Sequence, residues 1–518
     1  MRFPQLNVIP AAEQTVDAFR GYNHNPRTGP GEFYDMENLT SDHYPLLSPR
    51  GRRALHCKTA SPQGLIAMDA LCYVDGSDFV AGTQRVPMAL STAAADCPKQ
   101  LVSMGAYVVI LPDKKYVNTR ELSDFGDIEA EFTGSVTVEA AEEGYVRLSA
   151  AGIGRNFRAH DGIAIGGLEE LSSAVVKERE EDWLTVAGSA PSQTVQLTLR
   201  RAMPKLDFVT ESGNRLWGCR YGPDEKGSFV NEIYASAPGD FRNWSRFEGL
   251  STDSYTASCG DSGPFTGAVT YLGMPLFFKE NCIYKVYGSY PAAYRIQQTA
   301  CRGVQEGCGR SLAIVDETLF YKSRGGICAY DGSLPVCVSE QLGKDTYTAA
   351  AGGACGGKYY VSLGDGARHQ LFVFDTARSL WHREDGLHVS AFCTHKGILY
   401  GIDDGTFDIL LLTGDRGDER VRWMAETGQL LLGSLRGKRI SRMKVRLCLE
   451  KGAKAEFFAR YDGFGGWEPL GTVFGTALRV FTVPLRPRKC DTLQLRIRGE
   501  GMGKVYALTT YIRENAGG

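Results

Sequence analysis

Six cations crowd into eleven residues near the C-terminal end of this sequence: Arg436, Lys438, Arg439, Arg442, Lys444 and Arg446. The surrounding residues alternate as a strand does, which puts Met443, Val445, Leu447 and Leu449 on one face and Arg442, Lys444 and Arg446 on the other. Crowded like charges repel, so an isolated domain gains nothing from them. They are tolerable on a solvated face and useful against an acidic neighbour, where complementarity sets register and on-rate more than affinity. Nucleic-acid grooves interleave aromatics with charge, and the nearest aromatics here, Phe457 and Phe458, fall on the next strand. The six are therefore read either as a plain solvated face or as a docking set for a protein partner, and docking is carried forward as the hypothesis. Sequence-specific nucleic-acid binding is not expected.

Other residues of chemically capable types lack the required spacing. The glycine-rich run from Gly352 to Gly357 has no GK[ST] ending and no helix after it, so it is not a phosphate loop. His382, His388 and His395 fall on different strands or loops, and no HExxH is present, so no metal is expected. Asp403, Asp404 and Asp408 cluster on a predicted hairpin but fail the calcium-loop pattern. There is no GxSxG nucleophile elbow and no SxDxGxTW repeat. Paired carboxylates for glycoside hydrolysis can lie far apart in sequence and leave no motif. The chain is read as non-enzymatic and free of cofactors, with a propeller glycosidase as the least favoured alternative.

The elements that would position the docking set are strands. Short apolar runs of four to eight residues alternate with Gly, Asn, Asp and Pro turn signals, and no long amphipathic helix appears. Residues 267–343 hold two groups of four such runs, each group about forty residues long, which predicts β-propeller blades. The predicted organisation has an extended arm over 1–55 and a propeller over 56–132 and 204–427. A small β-barrel or sandwich is inserted over 133–203, and a C-terminal β-sandwich covers 428–518. The punctuation gives about seven blades, and six fits nearly as well. In residues 346–386 the pattern resembles a kelch blade. Gly356 and Gly357 would let strands cross near the axis, Asp375 would turn the outer hairpin, and Trp381 would wedge between blades; Asp240 and Trp244 repeat the device. Arg50, Arg52 and Arg53 end the arm and are read as a solvated loop, with a salt bridge or an acidic partner as the alternative. A chain ending near Thr427 is expected to stay folded.

Composition agrees with an all-β globular chain. The 518 residues are 43% apolar and 23% charged, with 61 glycines and a net charge of −2, so no global footprint for nucleic acid exists. The fourteen cysteines are scattered without a CxxC, several within apolar strand patterns, and are expected to be free thiols. The opening MRFPQLNVIPAAEQ lacks the apolar core and cleavage site of a signal peptide. No apolar run is long enough to span a bilayer as a helix, so no membrane insertion is expected.

The phrases PLFFKENCIYKVYGSYPAAYRI and GVQEGCGRSLAIVDETLFYKSRGGICAYDG resemble tail or tail-hub proteins of tailed bacteriophages, related to the packaged-DNA stabilisation proteins of short-tailed phages. The likeness extends to FYDMENLTSDHYPLLSPRGRR, ESGNRLWG, NEIYASAPGDFRNW and RLCLEKGAKAEFFARYDGFGGW. It implies a structural virion protein, made in the host cytoplasm and built into the tail or head-to-tail assembly. There it would hold neighbouring virion proteins, close into a homo-oligomeric ring and help retain packaged DNA. The alternative is a tail-tip module that reads a host-surface glycan.

Overall fold

The computed structural model describes residues 12–92, 99–142, 144–224, 227–431, 438–485 and 488–514. Its elements are antiparallel strands with three short 3-10 turns, and the described residues contain no α-helix. Among the described residues the thirteen cysteines form no disulfide; Cys97 lies outside the described residues. The chain divides into two compact units, one of residues 59–312 and 322–325, the other of residues 1–58, 313–321 and 326–518.

The first unit holds four four-stranded meanders, over residues 62–87, 100–127, 208–258 and 267–300. Consecutive meanders share apolar clusters. Cys72, Val74 and Phe79 of the first meet Val108, Ile110 and Val117 of the second. Met104, Val109 and Leu111 meet Leu216 of the third, and Trp217, Cys219 and Ile233 meet Phe277 and Tyr284 of the fourth. Between the second and third meanders the chain makes a closed six-stranded barrel, from Ala130–Ala140 to Gln193–Arg201. Its interior is filled by alternating residues such as Val136, Val138, Leu148, Val186, Leu197 and Leu199, as one-sided burial of a strand requires.

The second unit holds three further four-stranded sheets and two five-stranded ones. The four-stranded sheets run over residues 313–337 and 349–383, and over 389–411 joined by Ala54–Lys58 from the arm. The arm is thus woven in at three places. Ala12–Val16 and Asp35–Glu37 are edge strands of the two five-stranded sheets, and Ala54–Lys58 completes a meander. Short polar strands such as AEQTV and DME carry no period of their own; their partners define them.

Several structural readings change with the register in hand. Gly356 and Gly357, with φ of +57° and +72°, form the two-residue turn between Ala349–Cys355 and Lys358–Gly364, not a strand crossing. Equivalent first hairpins in other sheets turn on Gly213-Asn214, Leu272-Gly273, Asp316-Glu317 and Lys396-Gly397, each pair with positive φ. Two successive left-handed residues match the twist of the flanking strands, which is why this hairpin recurs. Asp375 turns the next hairpin by accepting the Arg378 amide at 3.1 Å and also takes the Ser41 hydroxyl at 2.5 Å. Trp381 is fully buried and donates Nε1–H to the Val338 carbonyl at 2.7 Å, wedged against the sheet over 313–337. In the first unit Trp244 sits in the cluster between the second and third meanders, and Asp240 receives the Arg242 amide.

The arginines at the end of the arm are not a solvated loop. Arg53 pairs with Glu384 at 2.6 Å and Asp385 at 2.7 Å, Arg50 with Glu419, and Arg52 with Glu450 at 2.5 Å. Arg50 is buried and the Arg53 side chain is largely covered, so three carboxylates contributed from far along the sequence offset their desolvation. Burial opposes the Asp385 charge, but Arg53 outweighs it and holds that carboxyl below its usual range; Arg50 does the same for Glu419.

Candidate partner interface

The docking set lies on the strand Lys438–Leu449, which is central in the sheet Ala12–Val16, Gly503–Glu514, Lys438–Leu449, Arg479–Val483. The other five-stranded sheet runs Asp35–Glu37, Arg422–Glu426, Leu493–Glu500, Lys454–Tyr461, Glu468–Val473. Each buries one face. Val16 and Leu508 of the first sheet and Thr427 and Leu495, beside and within the second, line one cavity of about 500 Å³ together with Phe19 and Phe33, so the two inner faces oppose each other. The sandwich therefore begins before residue 428 and takes in the arm.

Ile440, Met443, Val445, Leu447 and Leu449 point inward and are buried. The inward set changes from even to odd numbers because Ser441 is an extra residue: Ile440 faces Ile512, but Arg442 faces Tyr511. A one-residue bulge exchanges the faces of everything on one side of it. Lys438, expected with the outward cations, therefore enters the core, fully buried, with Nζ donating to the Leu431 carbonyl. Arg439 takes its place outside. Arg436 lies outside the described residues.

What results is a line of four outward cations, Arg439, Arg442, Lys444 and Arg446. Neighbouring strands extend it. Lys489 and Arg513 both stand opposite Arg439, and Lys504 stands opposite Cys448. Among the described residues no carboxylate lies within ion-pairing distance of the four. The carboxylate that register brings onto this face is Glu13, on the far side of Tyr511 from Arg442. Tyr511 is the organising aromatic. The Arg442 guanidinium lies 4.4 Å from its ring centroid and the Lys444 ammonium 5.3 Å. The ring quadrupole draws both cations onto one spot.

Sequence reasoning found the strand and three of its outward cations. It missed Tyr511, Arg513 and Lys504, which register alone brings alongside, and it missed the bulge, for which Ser441 is an ordinary strand residue. Among the described residues no group of three or more His, Cys, Asp or Glu is placed to hold a metal, and no helix is long and apolar enough to cross a membrane.

No protein-family model matches the sequence, and no curated protein does. Among solved structures, an exo-β-1,3-galactanase of Phanerochaete chrysosporium with galactose aligns at 9% identity and a TM-score of 0.22, over 59% of this chain and 95% of that one. A variant of the same galactanase with β-1,3-galactotriose aligns at 10% identity and a TM-score of 0.23, over the same shares. A putative exported protein of Bacteroides fragilis aligns at 9% and 0.26, over 54% of this chain and 94% of that one. Superpositions this loose assign neither substrate nor mechanism to this chain.

Proposed function

We propose that this chain is a structural assembly subunit whose sandwich docks on an acidic protein surface through the line Arg439, Arg442, Lys444 and Arg446. The observation that supports this reading is the absence, among the described residues, of carboxylate partners for these four, in a sandwich whose other outer face pairs its charges. Two like charges about 7 Å apart in water repel by about 0.6 kcal/mol, so the line gives the isolated domain nothing. Tyr511 favours a protein partner over nucleic acid, since its ring is already engaged by Arg442 and Lys444 and is not left open as a platform for a base.

The seven four-stranded sheets are, in this proposal, the blades of a seven-bladed propeller that serves as the rigid scaffold. Completion of one sheet by Ala54–Lys58 from the far end of the chain is the kind of fastening a ring of blades needs. The resemblance to phage tail and tail-hub proteins supports a role in the virion, at the tail or the head-to-tail junction, with other virion proteins as partners. A cryo-EM map of the intact particle tests this. The expected result is density for the chain there, with the basic line facing an acidic neighbour. Absence of the chain from purified particles would overturn the virion assignment, and a distal position with the basic line facing solvent would favour a receptor-binding role.

A further inference from the structure

The edge of the basic sheet carries a second feature. Arg479–Val483 pairs only with Lys438–Leu449 among the described residues, across Met443 to Leu447, so its other edge is unpaired. Exposed apolar residues gather on and beside it: Val480 is 59% exposed, Phe474 64% and Leu478 43%. An edge strand is a template for another chain, and proteins usually blunt it with charge, proline or a bulge. Here Arg479 and Pro484 guard only the two ends. Val480 stands directly across from Arg446, and Thr482 from Lys444, so the free edge and the cation line belong to one surface.

We propose that this edge receives an extended acidic segment of the partner protein as an added strand. The inference rests on the docking reading above and names the form the partner takes. An added strand lies about 4.8 Å beyond the edge. Its alternate side chains would continue the outer face beside Val480 and Thr482, within reach of the long side chains of Arg446 and Lys444 one strand further in. Those positions want carboxylates. The intervening positions would continue the inner row of Phe481, and the segment's end would meet Phe474 and Leu478; those positions want aliphatic groups. Main-chain hydrogen bonds supply affinity and the alternation supplies specificity, as in other strand-addition complexes. A second copy of this chain is a poor occupant, because pairing two such edges would set two cation lines side by side.

The test is calorimetric titration of the full chain with the peptide Glu-Val-Glu-Val-Glu-Val-Glu and two versions of it, each N-methylated on one alternate set of amides. Strand addition predicts that one methylated set binds like the parent and the other binds at least about tenfold more weakly, because only one set of N–H groups faces the edge. Equal binding of both methylated peptides and of hepta-glutamate would overturn strand addition while leaving charge docking intact. No binding of the parent peptide would also overturn it, and the particle map above would then judge docking separately.

Discussion

The two outer faces of the sandwich hold comparable numbers of arginines and lysines and use them differently. On the sheet containing Leu493–Glu500, register sets opposite charges side by side. Glu500 lies between Arg422 and Lys454, Arg498 faces Glu456, and Arg496 faces Glu426. The side chains pair accordingly: Glu426 accepts from Arg496 Nε at 2.8 Å, Lys454 reaches Glu456 at 3.1 Å, and Arg488 reaches Glu468 at 2.6 Å. Trp467 is held between Arg460 and Arg496, at 4.6 and 4.1 Å. On the basic sheet the opposite positions are themselves basic or neutral. One face completes its electrostatics within the chain; on the other, no carboxylate among the described residues pairs with the four cations. Net charge cannot show this, since −2 for the chain averages over both.

The comparison breaks most severely if the sandwich is removed. Three of its strands precede residue 428: Ala12–Val16 and Arg422–Glu426 pair with strands after it, and Asp35–Glu37 pairs with Arg422–Glu426. A chain ending at Thr427 would strand them and expose Met36, Trp423 and Ala425, all buried in the full protein. The earlier expectation that this truncation stays folded is therefore replaced: it should aggregate, read by size-exclusion chromatography. A monodisperse product would show that the two sheets are dispensable to the rest.

Next in size is a pH effect that the basic face should not share. His382 is buried, desolvation is the main cause that lowers its pKa to about 3, and Lys358 adds to it. Its folded pKa is below its unfolded value of about 6.5, so the folded state excludes a proton that the unfolded state binds. Stability is full above about pH 6.5 and falls by up to about 1.4 kcal/mol per pH unit below it. Asp385 and Glu419 have depressed pKa values; their contribution is present above their unfolded values near 4 and is lost as pH falls through the folded ones. Urea melts at pH 7 and pH 5 should differ by about 2 kcal/mol, and His382→Gln should remove most of that difference. Arginines stay charged throughout, so docking through the cation line should not follow this pH dependence.

Single substitutions then sharpen the contrast between faces. Glu426→Gln leaves Arg496 and Arg460 without their carboxylate on a partly buried site and should cost about 1–3 kcal/mol in a urea melt. Arg442→Ala on the basic face should stay within about 0.5 kcal/mol of wild type. If both cost the same, the two faces are equivalent and the paired-versus-unpaired distinction fails.

How much of this was legible in the sequence depends on whether a feature is local. Alternation from Met443 to Leu449 read true because every second residue is apolar. The all-strand character and the separate barrel read true because runs and turns punctuate the chain. Lys438 read false because a bulge at Ser441 is decided by pairing with Ile512 and Tyr511 some seventy residues on. Arg50 and Arg53 read false for the same reason: Glu384, Asp385 and Glu419 arrive from more than three hundred residues away. Gly356-Gly357 was legible as special backbone, but its role became clear only beside the other four turns.

The central claim is that the unpaired line exists for a neighbour. Its most direct test is the incorporation of the full chain carrying Arg442→Glu, Lys444→Glu and Arg446→Glu into particles, measured by quantitative mass spectrometry against the wild-type chain. These changes fall on outward-facing side chains, Arg442 and Arg446 exposed and Lys444 half-buried, so the fold should survive with an unchanged melt, and incorporation should drop at least about tenfold, as reversal of a complementary charge set predicts. Wild-type assembly should also weaken as salt is raised. Incorporation equal to wild type, with the melt unchanged, would contradict the account and leave the line as solvated surface.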